Sequence, residues 1–128
     1  MDPIAQTLNE IKNAQQVLKE TISFSFSNFR SEVLRVLEQQ GFVAKVEKKG
    51  RGIKKTLEVH LKYQDKLPMI SGFKKISKSS QRIFLPAKKI RGTKRGQGVV
   101  IISTSQGLMT ALEAKKKKIG GEVICEVW

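Results

Sequence analysis

Thiols, imidazoles and acids are scarce in this chain. One cysteine cannot close an internal disulfide, so nothing in the sequence marks an oxidising compartment. The one histidine, His60, lies far along the chain from Cys125, a poor starting point for a metal or a nucleophile site. Carboxylates are scattered and no pair suggests general acid–base work. No apolar run approaches the ~20 residues of a membrane helix, and no signal-peptide pattern is present. Ser103 and Ser105 lack a glycine two places before them, so neither sits in a nucleophile elbow. Gly92-Thr93-Lys94-Arg95-Gly96-Gln97-Gly98 lacks the glycine-lysine-serine/threonine ending of a phosphate-binding P-loop. The sequence therefore points away from an enzyme, a cofactor, a metal and a membrane.

What the chain has in excess is positive charge. Twenty-five Lys/Arg face 11 Asp/Glu, for a net charge of +14 and a pI of about 10.2. Residues 65–128 hold 14 of these cations against 4 acids, and residues 74–95 hold nine with no acid at all. Such a block is either a solvated face or a polyanion contact, and the complete lack of acid favours contact through residues such as Lys74 and Lys75. At 39% hydrophobic the chain has material for a core, too much for a disordered basic tail.

At 128 residues the chain can build one domain, or two small lobes sharing a core. Periodicity reads α-β-α-β-β over residues 1–66, and mostly β with one short helix over residues 67–128. Asp2-Pro3 opens the first helix, with Ile4, Leu8 and Ile11 at helical spacing. Residues 21–26 alternate as a strand. Ser27 or Asn28 caps a second helix whose expected stripe is Phe29, Val33, Val36 and Leu37, and Gly41 ends it. Strands follow at residues 42–46 and 57–63, joined by the basic glycine-rich turn Lys48-Lys49-Gly50-Arg51-Gly52. Leu67-Pro68 suggests a lobe boundary, and residues 92–98 read as a mobile basic loop. Thr110 and Glu113 form a capping box, and Gly120-Gly121 is expected to stop the helix they open. Val123, Cys125 and Val127 alternate in a closing strand.

The stretch Ser103-Thr104-Ser105-Gln106-Gly107-Leu108-Met109-Thr110 follows the apolar run at residues 99–102, so three hydroxyls stand where a buried strand leaves the core. Hydroxyls both donate and accept, and can bond phosphate oxygens, ribose hydroxyls or base edges. Gly107 permits a sharp turn. If Gly120-Gly121-Glu122 lies alongside, the two segments form one polar recess. The same residues also fit a serine-rich loop cap.

Four segments make the chain recognisable: Asp2-Pro3-Ile4-Ala5 with Ile11-Lys12-Asn13; residues 38–42; residues 103–110; and Gly120-Gly121-Glu122-Val123-Ile124-Cys125. Over nearly its whole length the chain resembles the bacterial-type ribosomal protein eight of the small subunit. The resemblance implies a structural α+β protein of two small lobes, residues 1–66 and 67–128, that binds the central domain of small-subunit rRNA early in assembly, among neighbouring ribosomal proteins. In bacteria members of this family also repress their own messenger RNA, and the resemblance implies a place in the small subunit of a bacterial cytoplasm or an organelle matrix. By the same resemblance Ser103, Thr104, Ser105 and Gly107 form the main rRNA contact, and Gly120, Gly121 and Glu122 the adjoining wall. Lys12 and Asn13 form a second surface. The family's arginine-hydrophobe-tyrosine motif is matched by Arg82, Ile83 and Phe84, where the ring is kept and the phenol lost. Gln106 stands where a basic residue is common. A free-standing translational regulator or RNA chaperone on this scaffold, a module for an acidic protein partner, and an enzyme using Ser105 are the rival readings.

Overall fold

In the computed structural model the described residues are 3–77, 80–89 and 98–128. The expected Asp2 cap, residues 78–79, Ile90, and residues 92–97 of the basic loop lie outside them. Contacts divide the chain into two units, Met1–Ser71 and Gly72–Trp128.

The first unit is built on helix α1 (Pro3–Gln16), strand β1 (Thr21–Ser25), helix α2 (Asn28–Gln39) and strands β2 (Val43–Lys49) and β3 (Thr56–Leu61). The strands form an antiparallel sheet in the order β1-β3-β2. Ile4, Leu8 and Ile11 of α1, Val33, Leu34 and Leu37 of α2, and Leu57 and Val59 of β3 are buried. Their spacing explains the elements: helical in the helices, alternate in β3. The caps are sequence-encoded. Ser27 Oγ accepts from Arg30 N at 3.1 Å, and Gly41, at φ +81°, closes α2. There Gly41 N donates to Glu38 O and Phe42 N to Leu37 O, at 3.1 and 2.9 Å.

Phe29 departs from the expected stripe and is exposed. The inward place in that first turn belongs to Arg30. Its Nε donates to Thr7 Oγ1 and its Nη1 to Ser25 O, both at 3.0 Å, and its guanidinium lies 5.1 Å from the Phe24 ring centroid. Glu38 accepts from Val46 N at 2.7 Å, tying α2 to the strand beside it. Leu67–Pro68 (β5), where the sequence suggests a boundary, pairs with Tyr63–Gln64 (β4) inside this unit. Tyr63 Oη donates to Lys19 O at 2.6 Å.

The second unit contains β6 (Phe73–Lys75), β7 (Phe84–Leu85), β8 (Val99–Thr104), β9 (Gly107–Thr110), the short helix α3 (Ala111–Lys116) and β10 (Gly121–Val127). β10 is its axis: β8 pairs along one edge, β6 and β7 along the other, and β9 lies outside β8, all antiparallel. Ile102, Met109, Ala111, Ala114 and Val123 make the core, with Ile83 and Leu85 against it. Trp128 closes the end: its backbone N and O pair with Gly72 O and N at 3.0 and 3.1 Å. A Cβ on Gly72 would sit 3.0 Å from the Trp128 ring. No helix among the described residues is long and apolar enough to cross a membrane.

Thr110 caps α3 as expected, its Oγ1 accepting from Glu113 N at 3.1 Å. The helix ends earlier than the glycine pair suggests. Lys118 takes the left-handed conformation, φ +59°. Its N donates to Lys115 O at 3.1 Å, and Ile119 N donates to Ala114 O at 3.0 Å. This is a Schellman ending with lysine in the place that usually holds glycine. A non-glycine residue there costs about 1–2 kcal/mol, and glycine's extra freedom in the unfolded chain offsets about half of that. Lys118→Gly should therefore stabilise the protein by ~0.5–1 kcal/mol, read as a higher urea midpoint at unchanged slope.

Candidate nucleic-acid interface

β8 leaves the core at Ser103 and turns back through Ser105 and Gln106 into β9. Gly107 is the positive-φ residue of this turn, at +104°. Thr104 holds the turn closed: its Oγ1 donates to Gly107 O at 2.9 Å and accepts from Gln106 N at 3.1 Å. One of the three hydroxyls is thus largely committed to the fold, with a single lone pair left. Ser105 stands exposed at the tip, and among the described residues nothing bonds its side chain. Ser103 is half-buried.

The glycine-glycine-glutamate segment does come alongside. Glu122 pairs with Ser103 on one side and with Phe84 on the other; Ser103 in turn pairs with Leu108. Paired residues of an antiparallel sheet share a face, with Cβ atoms about 4.5–5.5 Å apart. Phe84, Glu122 and Ser103 therefore form one row on one face. The two glycines make the row possible. A Cβ on Gly121 would collide with the Ser103 carbonyl oxygen and lie 2.9 Å from Ile102 Cγ2. On Gly120 it would collide with the Leu85 carbonyl oxygen and lie 2.8 Å from Pro86 Cα.

Phe84 projects from the row with 64% of its surface exposed. Arg82, two residues earlier on the same extended segment, falls on the same side, while Ile83 and Leu85 turn to the core. A residue with no role in the sequence reading sets this up. Ser77, buried, accepts from Ile83 N at 2.9 Å and donates to Ile83 O at 3.4 Å. Ile83 O also accepts from Val123 N at 2.8 Å. Ser77 lies in a serine- and lysine-rich stretch, and nothing in the local sequence distinguishes it.

The other candidates are elsewhere. Lys74 and Lys75 pair with Glu126 and Cys125, three or four residues along β10 from Glu122. That is roughly 10–13 Å at strand rise. Lys12 and Asn13 belong to the first unit, and their neighbouring side chains face different depressions. Lys12 lines one of about 140 Å³ with Gln15, Gln16 and Ile70; Asn13 lines one of about 430 Å³ with Glu10, Lys19 and Ser23.

Groups that could serve other chemistry are accounted for locally. Burial pushes the Cys125 thiol up to about 12, so it stays protonated and unreactive. His60 Nε2 lies 3.3 Å from Glu47 and 3.1 Å from Glu58, and these three side chains could converge on an ion. Lys45 and Lys49 already hold the same two carboxylates at 3.0 Å. The hydrogen bond from Lys45, then its charge, keeps the Glu47 carboxyl below its ordinary range. The arrangement is a surface ion-pair network.

Comparison with known proteins agrees along the whole chain. The family described as Ribosomal protein S8 matches residues 2–128. The chain is 40% identical over 131 residues to the small ribosomal subunit protein uS8 of Petrotoga mobilis, covering 99% of this chain and 98% of that one. It is 42% identical over 127 residues to the uS8 protein of Mesoplasma florum, with the same coverage. Against the uS8 protein of Thermus thermophilus it is 41% identical over 135 residues, again covering 99% and 98%.

The close passage of β10 past β8 yields a stability test. Gly121→Ala should destabilise the fold by about 2–3 kcal/mol, because backbone on both sides must shift. Ser105→Ala, at an exposed tip, should stay within about 0.5 kcal/mol of the parent. Urea denaturation of the two variants measures both.

Proposed function

The chain belongs to the ribosomal protein S8 family and is a structural, non-enzymatic protein of the small ribosomal subunit; on that premise we propose that it is a primary binder of the central domain of small-subunit rRNA. The observation that carries this reading is the meeting of Ser103 and Glu122 beside the Phe84 ring, which is left 64% exposed. Its working place is the small ribosomal subunit in the cytoplasm, with rRNA and other ribosomal proteins as partners.

In this reading the binding is divided between two kinds of contact. Lys74, Lys75 and Arg82 neutralise phosphates and release counterions, which gives affinity without sequence preference. Ser105 and the remaining lone pair of Thr104 take a folded RNA surface at short range, and Phe84 offers a ring on which an unstacked base can lie. Glu122 acts as the discriminator. A carboxylate accepts only, so it repels phosphate and welcomes a ribose hydroxyl or a base amino group. Lys12 and Asn13 supply a separate contact from the first unit. By holding one folded RNA site, the protein supports subunit assembly, and a messenger that folds to the same shape, its own included, would compete for the same residues.

Two measurements test the division. Ser105→Ala should weaken binding to a central-domain rRNA fragment by about two- to tenfold, the worth of one hydrogen bond, and leave binding to an unrelated RNA duplex unchanged. Equal loss on both RNAs would contradict shape-selective contact. Replacing Lys74 and Lys75 by glutamine should weaken binding to every RNA and lower the salt slope by about one to two. An unchanged slope removes them from the footprint.

A further inference from the structure

The basic turn between β2 and β3 takes no part in the contacts described above, yet it is built with care. Two left-handed glycines shape it, Gly50 at φ +83° and Gly52 at +61°. A Cβ on Gly50 would run into the Lys54 carbonyl group, so the turn folds back tightly on itself. Residues 48–55 carry five cations and no acid. Glu58 holds Lys49 at 3.0 Å; among the described residues no carboxylate pairs with Lys48, Arg51, Lys54 or Lys55.

The end of β1 meets this turn. Phe26 N donates to Lys55 O at 3.1 Å. Lys48 Nζ and Lys55 Nζ lie 4.7 and 5.1 Å from the centroid of the Phe26 ring. A depression of about 240 Å³ opens here, lined by Ser25, Phe26, Ile53, Lys54 and Lys55 among others. Ile53, at the tip, is fully exposed. An apolar side chain and an aromatic ring thus stand among unpaired cations in a preformed turn.

Resting on the rRNA reading above, we infer that this corner is a further RNA site, distinct from Lys12 and Asn13, that takes an unpaired nucleotide, its base against Ile53 and Phe26 and its phosphates on Lys48, Lys54 and Lys55. The exchange is self-consistent. A phosphate that draws a lysine away from the ring satisfies that cation better than the ring does, and the base covers the ring face the lysine leaves. An acidic peptide would satisfy the cations but brings no flat π-face to the vacated ring. The site therefore favours RNA over an acidic protein segment, and single-stranded RNA over a duplex whose bases are stacked inside.

Hydroxyl-radical footprinting on transcribed small-subunit rRNA tests this with the full chain. The double variant Ile53→Ser, Lys54→Gln alters only exposed side chains. It should lose protection of one unpaired stretch and bind severalfold more weakly, the effect of losing one phosphate contact and the apolar side of the base's seat. Protections that respond to Ser105→Ala should persist. An unchanged footprint overturns the inference and leaves the rRNA reading intact. Loss spread evenly over all protected nucleotides also overturns it, since it shows only a diffuse field. So does a variant that keeps every RNA protection but fails to retain a ribosomal protein in reconstituted subunits. A parent protein that protects no rRNA removes both readings.

Discussion

At Gly121 the first residue of the central strand lies so close to the Ser103 carbonyl that no Cβ fits between them. Gly120, just before it, is equally confined by the Leu85 carbonyl and Pro86. Backbone-to-backbone approach of this kind needs glycine on one side, because any other residue inserts a carbon where the partner strand must lie. The placement has consequences in both directions along the sheet. It sets Glu122 opposite Ser103 and, on the other edge, opposite Phe84. It also denies this glycine pair its more familiar use in ending the preceding helix, a task that falls to Lys118 in a conformation unfavourable to lysine. The chain accepts local strain at Lys118 and keeps its glycines for the place where volume is decisive.

In the second unit the β6 lysines stand apart from the serine-glutamate row, while Arg82 stands beside it. The lysines of β6 pair with the far half of β10, roughly 10 Å or more from the serine-glutamate row. At that distance their field reaches solvent within about one Debye length, enough to attract a polyanion and too diffuse to choose among polyanions. In the proposed binding, choice is left to short-range groups that include a negative one. Glu122, set in an otherwise basic protein, makes phosphate a poor occupant of its own position and a neutral donor a good one. This is why net charge alone points to a polyanion and cannot say which.

Much of this was legible in the residues. Apolar periodicity locates the long helices and strands, Ser27 and Thr110 announce their caps, and Gly41 ends its helix in the expected left-handed form. The hydroxyl turn and the glycine-glycine-glutamate segment can each be read as candidates, and their pairing follows once β8 and β10 are neighbours. Other features depend on contacts that no local pattern carries. Phe29 has helical spacing with Val33, yet Arg30 takes the inward position because Thr7 and Ser25 offer it hydrogen bonds from distant segments. Ser77 matters only because Ile83 returns to it. Trp128, obscure as a terminal residue, is seated by Gly72 more than fifty positions earlier. Charge density marks Lys74 and Lys75 as part of a basic block, but carries no information on their place in β6 or their distance from the row.

The hydroxyls show the same limit most sharply, and they also constrain how recognition can work. Ser27 and Thr110 cap helices, Ser77 ties an extended segment, and Thr104 closes a turn through two bonds. Each is spent on backbone groups that would otherwise lack partners. Ser103 and Ser105 are left with side-chain hydroxyls that nothing in the described chain engages. Few hydrogen-bonding atoms are therefore free to select a ligand, and each contributes only about 0.5–1.5 kcal/mol net. Selectivity of any size has to come from their fixed arrangement, through a backbone held rigid by glycine close approach and a turn locked from within by Thr104. A flexible loop with the same serines would lose most of that gain in ordering itself on contact. The serines matter, on this argument, because the glycines hold them still.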